Sequence, residues 1–307
     1  MRIAIVGVGA VGGYFGGRLA QAGEEVAFVA RGATLDALRE RGLVVDSIAG
    51  DFVIEPVRAS DDAATFGTVD AVLFGVKAWQ VEQAARSALP LFGAETFAVP
   101  LQNGVEAPEL LASVVGRERV LGGLCKIFAQ IEAPGHITHL GVEPSIDFGE
   151  LDGRSSARAE RLLNAFERAG VKARVRADIA VGMWEKLMMI VPTSAVGAAT
   201  RVKLGELREI AESRALVAGS MQEIWHLARA RGVAVRDEAV ERTLSFIDGL
   251  PYETTASMQR DIMAGRRSEL EAQSGAVVRL ANEAGVEVPI NRFLYATLLP
   301  AEHKASA

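Results

Sequence analysis

The sequence predicts two domains, an α/β domain with a doubly wound parallel sheet followed by an all-helical domain. Three observations predict this arrangement. Short β-rich runs alternate with helical stretches through the first half, a glycine-rich turn follows the first of these runs, and the pattern from Asp178 onward is almost wholly helical. A length of 307 residues also suits two domains, each large enough to bury a core.

The first half begins with the elements of βαβ units. The predicted strands are "RIAIVG", "EVAFVA", "AVLFGV" and "TFAVPL", and helical stretches such as "AVGGYFGGRLAQAG" and "QVEQAARSALPLF" separate them. The next region, "GHITHLGVEPSIDFGEL", has turn residues at short intervals and is more typical of antiparallel strands. We expect the helix "SARAERLLNAFERAG" to follow, and the run "VKARVRA" to return to the sheet.

The second half contains four helical segments: "DIAVGMWEKLMMIV", "ESRALVAGSMQEIWHLARARG", "DEAVERTLSFIDGL" and "ELEAQSGAVVRLANEAG". No run of alternating polarity interrupts them. The predicted domains are therefore residues 1–177 and residues 178–307.

Composition excludes several classes of function. Half of the residues are apolar and the formal net charge is −6, which argues against a nucleic-acid-binding or acidic-membrane-binding surface. Cys125 is the sole cysteine, so no internal disulfide can form. His136 and His139 are expected on opposite faces of a strand, which argues against a shared metal site. The uncharged run after Lys186 is too short to span a bilayer, and we expect a cytoplasmic protein.

The strongest motif is the glycine-rich turn in "RIAIVGVGAVGG". Gly7, Gly9 and Gly12 have G-x-G-x-x-G spacing directly after a strand and at the start of a helix, as in a Rossmann-type domain. Gly7 permits the turn, Gly9 lets the backbone approach a pyrophosphate, and Gly12 lets the helix pack on the strand. These residues, with the intervening Ala10 and Val11, are the predicted binding site for the phosphates of a dinucleotide.

The end of the second predicted strand indicates which dinucleotide binds. An NAD site usually has an acidic residue there, but this chain has Ala30 followed by Arg31. A guanidinium can bind the 2′-phosphate of NADPH through paired hydrogen bonds. NADPH is therefore the predicted cofactor, and the alternative is that Arg31 is only a solvated charge.

Two further strand ends carry polar side chains. Ligands of doubly wound sheets bind beyond the carboxyl ends of the strands, where "VLFGVKAWQ" places Lys77 and "VPLQNGVEAPE" places Asn103. Lys77 could hold cofactor or substrate anions, and Asn103, which is also a predicted cofactor-binding residue, could orient a polar substrate group or the catalytic side chain. A solvated lysine and an Asn-Gly turn explain the two residues equally well.

Lys186 lies at the start of an apolar segment and is followed by fourteen uncharged residues. Because burying an unpaired ammonium costs several kcal/mol, Lys186 either reaches solvent or has a partner and a function.

Ser257 and Glu269 lie farther along the chain, twelve residues apart. In one straight helix they would be separated by about 18 Å, at about 1.5 Å per residue. Gly265, however, can end one helix, and Ser268 with Glu271 forms a capping-box pattern for another. Such a break could bring both side chains to one site. Alternatively, Glu269 is only an acid favoured by the helix dipole.

Together these motifs identify a family. The chain resembles the ketopantoate reductases over nearly its whole length, through "VGVGAVGGYFGGRLAQAG", Arg31, "VKAWQ", "LQNG", "WEKL" and "SMQRDIMAGRRSELE", all in the family order. The resemblance implies a Rossmann domain, a helical domain and NADPH-dependent reduction of ketopantoate to pantoate in pantothenate and coenzyme A biosynthesis. It also implies that Lys186 is the catalytic lysine, Glu269 its acidic partner, Asn103 and Ser257 substrate contacts, and Lys77 a residue near the cofactor.

The chain departs from the family pattern on the helix of Lys186. The family commonly has asparagines four and eight residues after the catalytic lysine, where this chain has Ile190 and Ser194. Thr193 could compensate for Ile190, because it lies about 20° around the helix from Lys186 at about 100° per residue. Another 2-oxo acid is therefore an alternative substrate.

The resulting hypothesis is that Lys186, paired with Glu269, protonates the alkoxide formed as hydride reaches the keto carbon of the substrate. Ser194 and Ser257 would hold the substrate carboxylate. A second alternative is an NADPH-binding sensor without turnover, although such a protein has no need of a proton donor. The segment "ESRALVAGSMQEIWHLARARG" suits an internal core or a homodimer interface equally well.

Overall fold

The computed structural model describes residues 1–306, which divide into two compact units. The first unit comprises Met1–Gln102 and Ala107–Ile179. The second comprises Asn103–Glu106 and the residues from Ala180 onward. The division thus falls two residues after the predicted boundary at residue 177, and the short segment Asn103–Glu106, which the sequence assigned to the first domain, belongs to the second unit.

The strands all lie in the first unit. They are Arg2–Val6 (β1), Glu25–Val29 (β2), Leu43–Ser47 (β3), Phe52–Ile54 (β4), Ala59–Ser60 (β5), Val69–Phe74 (β6), Phe92–Pro100 (β7), Leu121–Ala133 (β8), His136–Glu150 (β9) and Lys172–Val175 (β10). The central sheet has the order β5-β2-β1-β6-β7 with every pairing parallel. Its three inner strands, β2, β1 and β6, are almost continuously apolar and buried, as expected for a sheet covered on both faces. The predicted doubly wound α/β domain is confirmed.

A second sheet contains the remaining strands in the order β10-β9-β3-β4, with β8 paired to β9. β9 pairs antiparallel with β8, as the pattern of "GHITHLGVEPSIDFGEL" suggests, but it is one continuous strand that the turn residues of that segment do not divide. β10 pairs in parallel with β9. The run "VKARVRA" therefore joins this second sheet, and the prediction that it returns to the parallel sheet was wrong.

The α-helices of the first unit are Ala10–Gln21 (α1), Gly32–Arg41 (α2), Val81–Ser87 (α3), Ala107–Val115 (α4) and Ala157–Arg168 (α5). α1 packs closely on the sheet because it carries glycines on the packing face. A Cβ on Gly16 would lie 2.6 Å from the Ile5 side chain, and one on Gly17 would lie 2.8 Å from the Phe52 ring. Helix and strand could not approach so closely with larger residues there.

The second unit is helical, as the sequence predicts. Its helices are Ile179–Thr200 (α6), Leu204–Glu209 (α7), Ala211–Ala230 (α8), Ala239–Asp248 (α9), Ser257–Met263 (α10), Ala276–Ala284 (α11) and Pro289–Ser306 (α12), with a π-helical turn at Glu271–Gly275 before α11. α6 runs through the core of this unit, where Leu187, Val191 and Ala195 are fully buried.

α6 is long and apolar enough, by length and composition alone, to cross a membrane. The prediction that this segment is too short to span a bilayer was wrong, because α6 begins before the uncharged run, at Ile179. Burial is more informative, because 61% of the apolar window lies inside the structure. A core helix of a globular protein has this property, since its apolar residues are covered by protein.

Candidate active site

The turn between β1 and α1 has the geometry that its glycines predict. Gly7 has a φ of +96°, and a Cβ there would lie 2.6 Å from the backbone nitrogen of Val76. A Cβ on Gly12 would lie 2.2 Å from the carbonyl oxygen of Gly7. Both positions therefore require glycine for reasons internal to the protein, namely backbone conformation and close packing.

Gly9 is different, because protein packing does not explain it. A Cβ on Gly9 would meet only the carbonyl oxygen of Gly75, at 3.9 Å, and its φ of −87° suits any residue. Gly9 is the N-cap of α1, which continues with Ala10 and Val11 and has no acidic residue in its first turn. The first N–H groups of a helix lack acceptors within it and favour anions. The open space beside Gly9 is therefore compatible with the phosphate site that the motif predicts, and that site stays a prediction.

Arg31 and Lys77 both lie at carboxyl ends of central strands. Arg31 follows β2 as the N-cap residue of α2, and its exposed guanidinium lies 3.4 Å from the hydroxyl oxygen of Ser87. Lys77 follows β6, is exposed, and has its ammonium 5.8 Å from the centroid of the Trp79 ring. Because both side chains are exposed, an anionic ligand can reach either of them without a rearrangement of the protein.

Gln102, which the sequence analysis overlooked, supports the end of β6. Its buried amide nitrogen donates to the carbonyl oxygens of Phe74 and Val76, each at 2.8 Å. Among the described residues its Oε1 has no partner. The two hydrogen bonds hold the backbone that precedes Lys77 against the glycine-rich turn. Its position beside Asn103 in "LQNG" was the available signal.

The second unit carries the other predicted site residues. Lys186 is half-buried on α6, next to the buried Leu187, and Ser194 is buried two turns later. Ile190 is partly buried and packs against the core of the unit. The Thr193 hydroxyl donates to the carbonyl oxygen of Met189 at 2.8 Å. Because that proton is used within α6, Thr193 can offer a substrate only an acceptor, which weakens it as a replacement for an asparagine at position 190.

Asn103 and Glu269 are in direct contact within the second unit. The side-chain amide of Asn103 donates to Oε2 of Glu269 at 3.3 Å, and the amide of Gln273 approaches the same oxygen at 3.4 Å. Glu269 is only 8% exposed and Gln273 1%. Gln273, which the sequence analysis missed, follows Glu269 by four residues, the spacing that places two side chains on one helix face.

A break in the helical chain precedes Glu269, where the sequence predicts it. α10 begins at Ser257, which is exposed, and its C-terminal end is followed by Gly265 at a φ of +66°. The Ser268 hydroxyl accepts the Leu270 N–H at 3.1 Å, so Ser268 caps the next turn.

The partner predicted for this cap was wrong. The backbone N–H of Ser268 donates to Glu302 of α12, with both carboxylate oxygens at 3.1 Å, and the Ser268 hydroxyl donates to the same group at 2.5 Å. Glu271, the expected partner, accepts instead from Arg279 at 3.1 Å and from the Tyr295 hydroxyl at 2.6 Å. A carboxylate distant in sequence thus replaces the local one.

Both halves of the sequence match one protein family. Residues 3–153 match the family described as ketopantoate reductase PanE/ApbA, and residues 178–302 match its C-terminal domain. The chain belongs to the ketopantoate reductase family. The family resemblance and the fold class predicted from the sequence are thereby confirmed.

Individual relatives agree with this membership. The chain is 30% identical to 2-dehydropantoate 2-reductase of Archaeoglobus fulgidus, over 95% of each chain. The crystal structure of 2-dehydropantoate 2-reductase from Geobacter metallireducens is 33% identical and has a TM-score of 0.91, covering 98% of this chain and 100% of that one. A ternary structure of D-mandelate dehydrogenase with NADH and anilino(oxo)acetate also has a TM-score of 0.91 over the whole of both chains, but at 22% identity this likeness concerns the fold alone.

Family membership sets the general chemistry. Ketopantoate reductases are oxidoreductases of keto acids that use a nicotinamide cofactor. The glycine-rich turn of the first unit and the polar cluster of the second are the parts of this chain that suit that chemistry. The polar cluster comprises the hydrogen-bonded side chains of Asn103, Ser268, Glu269, Glu271, Gln273, Arg279, Tyr295 and Glu302.

Proposed function

We propose that the protein reduces 2-dehydropantoate to pantoate with NADPH, as a cytoplasmic enzyme of pantothenate biosynthesis. The observation that carries the proposal is the contact between Asn103 and Glu269, in the same unit as the half-buried Lys186. An amide, a carboxylate and an ammonium can together orient a 2-oxo acid and protonate its reduced carbonyl oxygen.

The first unit would bind the cofactor. The glycine-rich turn and the N-terminus of α1 would receive the pyrophosphate, while Arg31 would pair with the 2′-phosphate and Lys77 would lie beside the bound dinucleotide. NADPH would supply the hydride. An exposed guanidinium where NAD sites usually have a carboxylate supports NADPH over NADH.

The second unit would bind the substrate and move the proton. Lys186 would donate a proton to the oxygen that becomes the hydroxyl of pantoate, with Glu269 keeping the ammonium in place. Asn103 would orient the substrate, and the hydroxyls of Ser194 and Ser257 would bind its carboxylate. The half-buried position of Lys186 on an apolar helix supports this role, because lysine residues are mostly exposed unless they are paired.

Another 2-oxo acid is the second candidate substrate. Ile190 contributes no hydrogen bond at a position where the family commonly has asparagine, and Thr193 uses its proton within α6. A 2-oxo acid that is more apolar than ketopantoate would suit that surface. An NADPH sensor without turnover is a weaker alternative, because sensing requires no proton donor.

The deciding experiment is steady-state oxidation of NADPH, monitored at 340 nm, with ketopantoate and a panel of other 2-oxo acids. Ketopantoate should have the highest kcat/KM of the panel. A higher value for another 2-oxo acid would favour the second candidate. NADPH binding without oxidation by any of these acids would favour the sensor.

A further inference from the structure

The segment Asn103–Glu106 packs on the π-helical turn of the second unit. Gly104 has a φ of +104°, and a Cβ there would lie 2.8 Å from the carbonyl oxygen of Ala272. Val105 packs against the apolar core of the same unit. Asn103 is therefore presented to Glu269 by a backbone that lies directly against the turn following Glu269.

Ion pairs of Arg279 join Glu106, the last residue of the segment, to the π-helical turn. The Arg279 guanidinium donates through Nη2 to Oε2 of Glu106 at 2.8 Å, and through Nη1 to Oε2 of Glu271 at 3.1 Å. Nη2 also donates to the backbone carbonyl oxygen of Glu271 at 2.9 Å. One side chain thus joins the segment, a carboxylate of the π-helical turn and the backbone of that turn.

The π-helical turn Glu271–Gly275 leaves room for the side chains of Glu271 and Arg279. The Gly275 N–H donates to the carbonyl oxygen of Leu270 at 2.9 Å, the i to i−5 bond of a π-helix, which often marks a functional site. A Cβ on Gly275 would lie 2.8 Å from Oε2 of Glu271 and 3.0 Å from Nη1 of Arg279. The absent side chain therefore leaves the space that the Glu271–Arg279 pair occupies.

Tyr295 of α12 completes the cluster. Its hydroxyl donates to Oε1 of Glu271 at 2.6 Å, so the Glu271 carboxylate is held from both sides. Burial of the phenol and its bond to Glu271 raise the pKa of Tyr295 to about 12. The phenol is consequently a hydrogen-bond donor throughout the neutral pH range.

We propose that Arg279 is a positioning residue that holds Asn103 against Glu269 by joining Glu106 to the π-helical turn. The inference rests on the proposed function only for its kinetic consequence, since the structural consequence concerns the free protein. A simple surface ion pair would contribute little, but this guanidinium binds three acceptors on two segments whose relative position fixes the Asn103 amide.

The kinetic test replaces Arg279 with methionine, which keeps an apolar stem but removes the cation. We expect kcat with the preferred 2-oxo acid to fall roughly 10- to 100-fold, because misplacement of a substrate-orienting group has effects of that size. The dissociation constant for NADPH should stay unchanged. Arg279→Lys should recover part of the loss, and Arg231→Met, which breaks the exposed Arg231–Glu283 pair of the same unit, is the matched control.

A double-mutant comparison separates positioning from general destabilisation. If Arg279 acts through Asn103, then Arg279→Met should cause little further loss of kcat in an Asn103→Ala background. The same fold-loss in both backgrounds would overturn the proposal. Should Arg279→Met fail to fold, Glu106→Gln tests the same contact from its other end.

Hydrogen exchange of the free protein provides a readout independent of turnover. The amides of Gln273 and Gly275, which donate to the carbonyl oxygens of Glu269 and Leu270, should exchange faster in Arg279→Met than in wild type or Arg231→Met, because the backbone of this turn then loses its bond to Arg279. Unchanged exchange would overturn the proposed positioning role of Arg279, whichever substrate the enzyme reduces. Conversely, if exchange is faster in Arg279→Met but the wild-type protein reduces no 2-oxo acid, the positioning role of Arg279 is supported and the proposed function is refuted.

Discussion

Asn103 and Glu269 lie 166 positions apart in sequence, yet the Asn103 amide donates to the Glu269 carboxylate at 3.3 Å. Asn103 directly follows residues of the first unit, whereas Glu269 belongs to the helical part of the second. The chain therefore contributes a four-residue segment, from the end of its parallel sheet, to the polar cluster of the helical unit. A substitution of Asn103 removes a hydrogen bond from the Glu269 carboxylate, and a substitution of Glu269 removes the acceptor of the Asn103 amide.

The glycine-rich turn provides a prediction that separates ligand binding from folding. Gly9→Ala should leave the melting temperature nearly unchanged, because its Cβ would meet no protein atom closer than 3.9 Å. It should nevertheless weaken NADPH binding by at least about tenfold, or 1.4 kcal/mol, if phosphates occupy that space. Thermal unfolding and fluorescence titration with NADPH measure the two effects.

Gly12→Ala is the matched control for this experiment. Its Cβ would lie 2.2 Å from the Gly7 carbonyl oxygen, so the variant should lose roughly 1–3 kcal/mol of stability through overpacking. Wild-type NADPH affinity in Gly9→Ala would show that the cofactor does not approach this backbone.

Arg31 is expected to determine the preference for NADPH over NADH. Arg31→Ala should weaken NADPH binding about 10- to 150-fold, because a charge-assisted hydrogen bond contributes roughly 1.5–3 kcal/mol. NADH, which lacks the 2′-phosphate, should bind almost as before. The ratio of the two dissociation constants is the measurement, and Arg39→Ala, at an exposed position of α2, is the control. A wild-type protein that prefers NADH would refute this role.

Lys186 is expected to be the proton donor. Lys186→Ala should lower kcat roughly 10²- to 10⁴-fold, as loss of general acid catalysis does, while NADPH affinity changes little. Lys203→Ala removes an exposed lysine of the same unit, paired with Glu253, and should leave kcat intact. Near-normal turnover by Lys186→Ala would exclude the proposed mechanism.

Glu269 should act together with Lys186. Glu269→Ala should also lower kcat, and the double variant should be much less impaired than the product of the two single losses. If the fold-loss in kcat of the double variant instead equals the product of the two single fold-losses, the two side chains act separately. Steady-state kinetics of the four proteins at one saturating NADPH concentration provide the comparison.

Ile190 should influence the choice of substrate. Ile190→Asn supplies a hydrogen-bonding group on α6 and should raise kcat/KM for ketopantoate about 2- to 12-fold, the range for a neutral hydrogen bond of roughly 0.5–1.5 kcal/mol. Ile190→Leu preserves the apolar character and should not improve it. A decrease in Ile190→Asn, accompanied by efficient wild-type turnover of another 2-oxo acid, would identify Ile190 as a contact for an apolar substrate group.

Local patterns predicted much of this structure because the interactions concerned are local. The turn at Gly7, the helix that starts at Ala10 and the break at Gly265 all follow from backbone preferences of a few neighbouring residues. The strand β10 was assigned to the wrong sheet because its apolar pattern predicts a strand but does not identify its neighbour.

The polar cluster was less predictable. Glu271 matches the capping-box spacing from Ser268, yet it binds Arg279 and Tyr295, while Glu302 binds Ser268. Several acceptors compete for each donor, and only the packed fold decides which of them lies close enough. Asn103 joined the helical unit for the same reason, since its sequence neighbours all indicated the parallel sheet.

The bond between Ser268 and Glu302 has a consequence for biosynthesis. The ribosome makes Glu302 after every other residue of the polar cluster, and Glu302 is only 5% exposed in the finished fold. Until α12 has left the ribosome and docked, Ser268, which caps the turn after Glu269, lacks its carboxylate partner. The parallel sheet and its glycine-rich turn, the proposed cofactor site, can form much earlier, so a newborn chain should acquire cofactor affinity before it acquires the ability to turn over substrate.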